Sequence, residues 1–270
     1  MLPEFETLTL AIDQQVATVQ LNRPEKANAM NQPMWQELQA CFEWLDDEPT
    51  VRVVILAGNG AHFCSGIDLG MFGDISGVSK EPSRRAEQLR RNILRLQDNL
   101  TALEKCRKPV LAAIHNTCIG GGVDLTCCCD MRYASADAHF SIREIDIGMT
   151  ADVGTLQRLP HIIPEGVIRE LAYTGRTLGA EEARELGFVN RVYADKETLY
   201  KEVMAIARTI AEKSPLAIRG TKEVLIYTRD HSVQDSLNYI ATWNAGMLSE
   251  ADLVAGVTAQ AEKKLATFED

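Results

Sequence analysis

Residues 108–130 read KPVLAAIHNTCIGGGVDLTCCCD. The stretch begins with a short apolar run, PVLAAI, of the kind expected for a strand covered on both faces. It then passes through His115, Asn116 and Thr117 into three glycines, Gly120 to Gly122, and on to Asp124. A glycine loop at a strand end lets a ligand approach backbone N–H groups closely. Three consecutive cysteines follow, but Cys127, Cys128 and Cys129 point in successive directions from a helix or a strand. None of the seven cysteines, at 41, 64, 106, 118, 127, 128 and 129, belongs to a C-x-x-C pair. They read as reduced packing thiols, which leaves the glycines and the aspartate as the candidates for chemistry.

The strand-then-glycine pattern occurs once before. VRVVILAG leads into GNGAHFCSGIDL at 58–69, and a helical pattern over 84–105 separates the two units. Upstream, TLTLAI and VATVQL flank a polar break at Asp13 to Gln15 and predict a hairpin. Trp35, Leu38, Phe42 and Leu45 then recur at helical spacing, with Asn31 placed to cap and Pro33 in the first turn. Strand and helix keep alternating as far as Tyr193, after which the pattern is mostly helical. The expectation is an α/β core over 1–200 and a helical region over 201–270. The helical region carries Trp243, Met247, Leu248 and Leu253 in a segment too short for a sizeable core of its own, so it must pack on the core or on another subunit.

With 270 residues, 46% hydrophobic and 24% charged, the chain can bury a large core. The formal net charge of −10 opposes nonspecific attraction to nucleic acid. The richest basic cluster, SRRAEQLRRNILR at 83–95, reads as a solvated helix face. No apolar stretch approaches the roughly 20 residues of a membrane-spanning helix. The expectations are therefore no nucleic-acid partner and no membrane. A start without basic residues or a long apolar run, and an end in FED, give the expectation of a cytoplasmic protein.

The glycine loops fit neither G-x-G-x-x-G nor a P-loop, no G-x-S-x-G elbow is present, and the five histidines form no H-E-x-x-H pair. These absences speak against phosphate-cradling, serine-hydrolase and metal chemistry, and no metal ligand is expected. Two backbone N–H groups from separate strand ends can instead bind one oxygen that becomes negative during reaction.

LNRPEKANAMN (21–31), FCSGIDL (63–69), residues 108–160, TGRTLGAEEARELGFVNRV (174–192) and KSPLAIRGTKE (213–223) resemble, in order and spacing, the enoyl-CoA hydratase/isomerase family, also called the crotonase superfamily. The resemblance covers nearly the whole chain. It implies a crotonase-like spiral of repeated ββα units with a helical C-terminal trimerisation region, and a homotrimer or dimer of trimers. It also implies an acyl-CoA thioester substrate, no separate cofactor because CoA is part of the substrate, and an oxyanion hole from the N–H groups of Ile67 and Gly121. Ser65, Gly66, Asp68, Leu69, Gly122 and Lys26 become candidate substrate-binding residues, with Arg23 a second candidate for the CoA phosphates. Asn116 stands where the family usually has glycine.

Three acids then direct the chemistry: Asp124, Glu144 twenty residues later, and Asp152 eight after that. Hydratases of the family carry a glutamate where Asp124 stands and a small residue near 152. The triad looks instead like the dienoyl-CoA isomerase branch. Moving two double bonds toward the thioester removes a proton at C2 and returns one at C6, too far apart for a single carboxyl. The resemblance assigns Glu144 to C2 and Asp152 to C6, with Asp124 positioning or tuning Glu144. Asp68, Asp130 and Asp146 are expected to make backbone hydrogen bonds or caps. The alternatives are an enoyl-CoA hydratase, a Δ3-Δ2-enoyl-CoA isomerase, and a noncatalytic acyl-CoA- or RNA-binding protein of the same fold.

Overall fold

The computed structural model describes residues 2–74 and 81–270; for Gly73 and Asp74 the description is of backbone only. The chain opens with the expected hairpin of β1 (Leu8–Asp13) and β2 (Val16–Leu21), antiparallel with Leu10 opposite Val19. Asn31 caps α1 (Gln32–Asp47) by accepting from the Met34 N–H at 3.2 Å, and the helix buries Met34, Trp35, Leu38, Cys41, Phe42 and Leu45. Next come β3 (Val53–Gly58), a 3-10 turn at Leu69–Asp74, α2 (Pro82–Lys105) and β4 (Val110–Ile114). β5 (Thr117–Ile119), α3 (Gly121–Cys127), β6 (Met131–Ser135), β7 (His139–Ser141), α4 (Thr155–Arg158) and α5 (Glu165–Thr174) follow. β8 (Leu178–Gly179), α6 (Ala180–Glu185) and β9 (Arg191–Tyr193) complete the α/β part. Four longer helices end the chain: α7 (Lys196–Ala211), α8 (Pro215–Thr228), α9 (Val233–Met247) and α10 (Glu250–Glu262).

The strands form two sheets, one of order β1-β2-β3-β4-β6-β9 and one of order β5-β7-β8. β4 adds to the large sheet and β5 to the small one; β6 and β7 repeat this, so the path spirals. Beyond the β1–β2 pair the large sheet is parallel, and its central strands β3 and β4 are buried on both faces. Alternation along them divides the core. Val54, Leu56, Val110, Ala112 and Ile114 face the main cluster, whereas Val53, Ile55, Ala57, Leu111 and Ala113 face Leu199, Val203, Ala207 and Ala211 of α7. Residue 200, the expected division, therefore falls inside a helix that covers the sheet, and the region without a deep core begins with α8.

Candidate active site

The two glycine loops meet at the small sheet. Cys64 and Cys118 form a parallel bridge, and the Cys64 N–H donates to Thr117 O at 2.9 Å. Met30 bridges to the same loop by donating to Gly66 O at 2.8 Å and accepting from the Asp68 N–H at 3.0 Å. Because Met30 bonds the residues on either side of Ile67, the Ile67 N–H points away from it. That N–H is directed toward the start of α3: a Cβ placed on Gly121 would stand 3.5 Å from Ile67 N. Gly121 is the first residue of α3, and the cap position before it offers no side-chain acceptor. Two amide donors without a partner among the described residues therefore converge where the helix dipole is positive. Gly66 makes the approach possible, since it has φ +96° and a Cβ there would lie 2.9 Å from Ile119 O. Asn116, at the head of the second glycine loop, adopts φ +52°, a left-handed conformation that asparagine tolerates.

A cavity of about 1290 Å³ opens beside these amides and is lined by Ile67, Gly121, Asp124, Glu144 and Asp152 together. Asp124 lies in the first turn of α3 and is fully buried. Its Oδ1 accepts from the Thr155 N–H at 2.6 Å, while Oδ2 has no partner among the described residues. Burial, opposed by the Thr155 bonds and reinforced by the charges of Glu144 and Asp152, raises its pKa to about 7. Glu144 starts a 3-10 turn just after β7, and its Oε1 would be 3.2 Å from a Cβ on Gly120, which puts this carboxyl next to the paired amides. Burial first, then the Asp152 charge, raises its pKa, and its Oε2 is also unpartnered among the described residues. Asp152 lies in the loop before α4, its backbone held by Gln97 Nε2 donating to its carbonyl at 2.6 Å. Burial raises its pKa as well.

Beside its expected part in positioning or tuning Glu144, Asp124 holds a neighbouring loop. Among the described residues the one hydrogen bond of the Asp124 carboxyl is to Thr155, three residues after Asp152, so Asp124 anchors the loop that carries Asp152. The remaining predicted contacts lie outside the cavity lining. Gly66 and Gly122 are buried behind the amides, Leu69 and Lys26 are exposed, and Ser65 donates its N–H to Ala27 O at 3.0 Å. Asp68 pairs with Arg23 at 3.0 Å and accepts from the Gly70 N–H at 3.0 Å, which commits both side chains to the loop. Asp130 accepts from the Val110 N–H and from Lys222, as a structural residue should. For Asp146 the described residues offer an ion pair with Arg143 at 4.0 Å and, among them, no backbone bond or cap to its side chain.

Residue patterns alone missed most of the cavity wall. Gln32, Trp35, Gln36 and Gln39 of α1 face it, as does a stripe of α2 running through Arg85, Gln88, Leu89, Asn92, Leu96 and Asn99. The basic stretch of α2 is thus solvated over most of its surface but lines the cavity along one edge. The available signal was amide side chains recurring every three or four residues among apolar ones.

The enoyl-CoA hydratase/isomerase family model matches residues 11–270. The chain belongs to that family. A rat relative, named mitochondrial Δ3,5-Δ2,4-dienoyl-CoA isomerase, is 49% identical over 92% of this chain and 77% of its own length. An Arabidopsis thaliana relative, named the peroxisomal Δ3,5-Δ2,4-dienoyl-CoA isomerase, is 48% identical over 98% of this chain and 96% of its own. Among solved structures, an enoyl-CoA hydratase from Bacillus anthracis superposes with a TM-score of 0.88 at 30% identity, covering 98% of this chain and 99% of that one. The crotonase-type spiral expected of the family is therefore the fold. The cytoplasmic expectation is overturned, because these relatives are named for mitochondrion and peroxisome. The features behind that expectation lay in a few terminal residues, which carry no information about the site.

Proposed function

We propose that this family member isomerises 3,5-dienoyl-CoA to 2,4-dienoyl-CoA in the β-oxidation of unsaturated fatty acids. One observation carries the reading: three carboxyl side chains, all with raised pKa, share a cavity with two convergent amide donors. The similarity to relatives named for this reaction supports it.

In this mechanism the thioester oxygen lies against the N–H groups of Ile67 and Gly121. Glu144, next to Gly120, then reaches C2 and takes its proton. The electron pair spreads over the dienolate, whose charge at the thioester oxygen the amides stabilise more than they stabilise the substrate, roughly 3 kcal/mol per donor in comparable holes. Asp152, farther along the cavity, gives its proton to C6. Opposite starting protonation states are required, and burial together with mutual repulsion is what separates two such carboxyls. Trp35, Met71, Phe72 and Leu96 provide apolar surface for the acyl chain. Lys26, exposed and without an ion pair among the described residues, is the candidate for a CoA phosphate, since Arg23 is held by Asp68. The reaction moves protons only, so CoA enters as part of the substrate and no cofactor is called for. The active form is a homotrimer or dimer of trimers, a reading supported by the apolar side chains that the C-terminal helices expose.

The test is spectroscopic turnover of purified 3,5-dienoyl-CoA beside a 2-enoyl-CoA. Loss of the substrate and growth of the conjugated 2,4-dienoyl chromophore are expected. Hydration of the 2-enoyl-CoA without dienoyl turnover would replace the isomerase reading with the hydratase one.

A further inference from the structure

Each forward turnover of this isomerisation leaves the two carboxyls exchanged. The C2–H bond has broken and its proton sits on Glu144; the O–H bond of Asp152 has broken and its proton forms the new C6–H bond. A site in that state is set for the reverse reaction. Before another forward turnover Glu144 must lose a proton and Asp152 must gain one.

Asp152 lines two cavities. Besides the large one that holds the other acids, it borders a second of about 550 Å³, and Asp152 and Val153 are the wall common to both. The second cavity lies among the later part of α2, the α4 segment and the end of α8, and its lining is mostly polar: Gln97, Thr101, Arg158, His161, Glu223 and Asp230 surround it. Its frame is braced by charge. Glu104 accepts from Arg158 at 2.9 Å and pairs with Arg229 at 2.5 Å, tying α2 to α4 and to the residue that follows α8. Gln97, which borders this cavity, fixes the Asp152 carbonyl. At about 30 Å³ per molecule the space admits on the order of ten waters or more, with polar partners on several sides. The acyl chain and then the product occupy the substrate cavity until release, so until then the second cavity is what gives Asp152 access to water.

We propose that the second cavity is the proton-exchange compartment through which Asp152 is recharged from solvent between turnovers. The inference rests on the two-carboxyl isomerase reading. Its competitor is an internal return, in which the proton taken from C2 passes from Glu144 to Asp152, directly or over Asp124, and reappears at C6 of a later product.

Two measurements separate these routes. Wild-type enzyme turning over 2-deuterated 3,5-dienoyl-CoA many times in ordinary water should give product whose C6 carries solvent protium. Substrate-derived deuterium accumulating at C6 overturns the proposal without any variant. The second measurement plugs the compartment. Ile226→Trp and Gln157→Trp each alter a side chain that lines the second cavity and is not among the described residues lining the first. Each is expected to complete its first turnover at the wild-type rate and then slow, giving a burst of about one product per site and a steady state down roughly a hundredfold, the lower end of the range ascribed to general acids. A normal first turnover followed by an undiminished steady state in either variant overturns the proposal. The normal first turnover itself certifies the fold, and if neither variant retains it, the isotope result decides. Failure of the isomerase reading is distinct: wild-type enzyme would then not turn over the dienoyl substrate at all.

Discussion

A carboxyl group that holds a proton near neutral pH requires burial without enough hydrogen bonds to its ionised form, and Asp124 meets both conditions, with one bonded oxygen and one that has no partner among the described residues. Its pKa rises from 3.8 to about 7 on folding, so between those values the folded chain keeps a proton that the unfolded chain has released. Stability contributed by this group is accordingly full at low pH, falls as pH rises through that window, and levels off above about 7, a loss of up to about 4 kcal/mol. Asp124→Asn cannot ionise and keeps an oxygen for the Thr155 N–H. Thermal melts should show the variant gaining on wild type from about pH 4 to about pH 7; a pH-independent difference would mean that Asp124 is ionised in the fold. The roles of the other two acids separate by isotope exchange. Asp152→Asn should lower isomerisation by roughly 10²- to 10⁴-fold, the usual worth of a general acid, while C2 exchange with deuterium oxide partly survives. Glu144→Gln should suppress C2 exchange itself. Near-wild-type isomerisation by Asp152→Asn would dismiss the two-carboxyl mechanism. The three acids were legible from spacing and family resemblance. Thr155 and Gln97 were not, because each acts on a backbone or side-chain atom distant in sequence, and nothing in a one-dimensional pattern marks such a pair.

α3 concentrates the site's structural demands in one short, wholly buried helix: an amide donor at its first residue, Asp124 in its first turn, and the three cysteines at its end. The Cys128 thiol donates to Asp124 O at 3.3 Å and the Cys129 thiol to Leu125 O at 3.5 Å, which also accepts the Cys128 N–H at 3.2 Å, so both thiols bond carbonyls of the helix's last turn. Burial pushes the Cys127 and Cys129 thiols up to about 12, which removes the thiolate needed for nucleophilic or redox chemistry. Cys128→Ala should therefore cost about 1–2 kcal/mol of stability, as a small core truncation with a lost weak hydrogen bond, and leave turnover per folded molecule unchanged. Denaturant unfolding alongside kcat checks this, and loss of activity in a natively folded variant would refute the packing role. Helices such as α1 were readable because capping and apolar spacing are local signals. The placement of α7 was not: Leu199, Val203, Ala207 and Ala211 announce a buried face without naming the surface that buries it, and only the sheet's own alternation supplies the match.

At the scale of the molecule, the two faces of the large sheet are filled from within the chain, but the last helices are not. Leu225 is 65% exposed and Val233 73%, and α10 presents Leu253, Val254 and Val257 on one face with each more than half exposed. Apolar side chains of this size on neighbouring helices are the surface that the proposed oligomer would bury. Complete burial of one such side chain is worth about 1.5–3 kcal/mol, so several on each protomer supply a substantial driving force for association. Light scattering at micromolar concentration is expected to give the mass of a trimer or of a dimer of trimers, with a melting temperature that rises with protein concentration. Val254→Asp combined with Val257→Asp should shift the population to smaller species, because a desolvated carboxylate in an apolar contact has no partner to offset its burial. Both substitutions lie on exposed positions of α10, so the protomer's own core remains intact, and circular dichroism should show native helix content. A stable monomer of the unmodified chain at micromolar concentration would leave these faces without an occupant and defeat the oligomer reading.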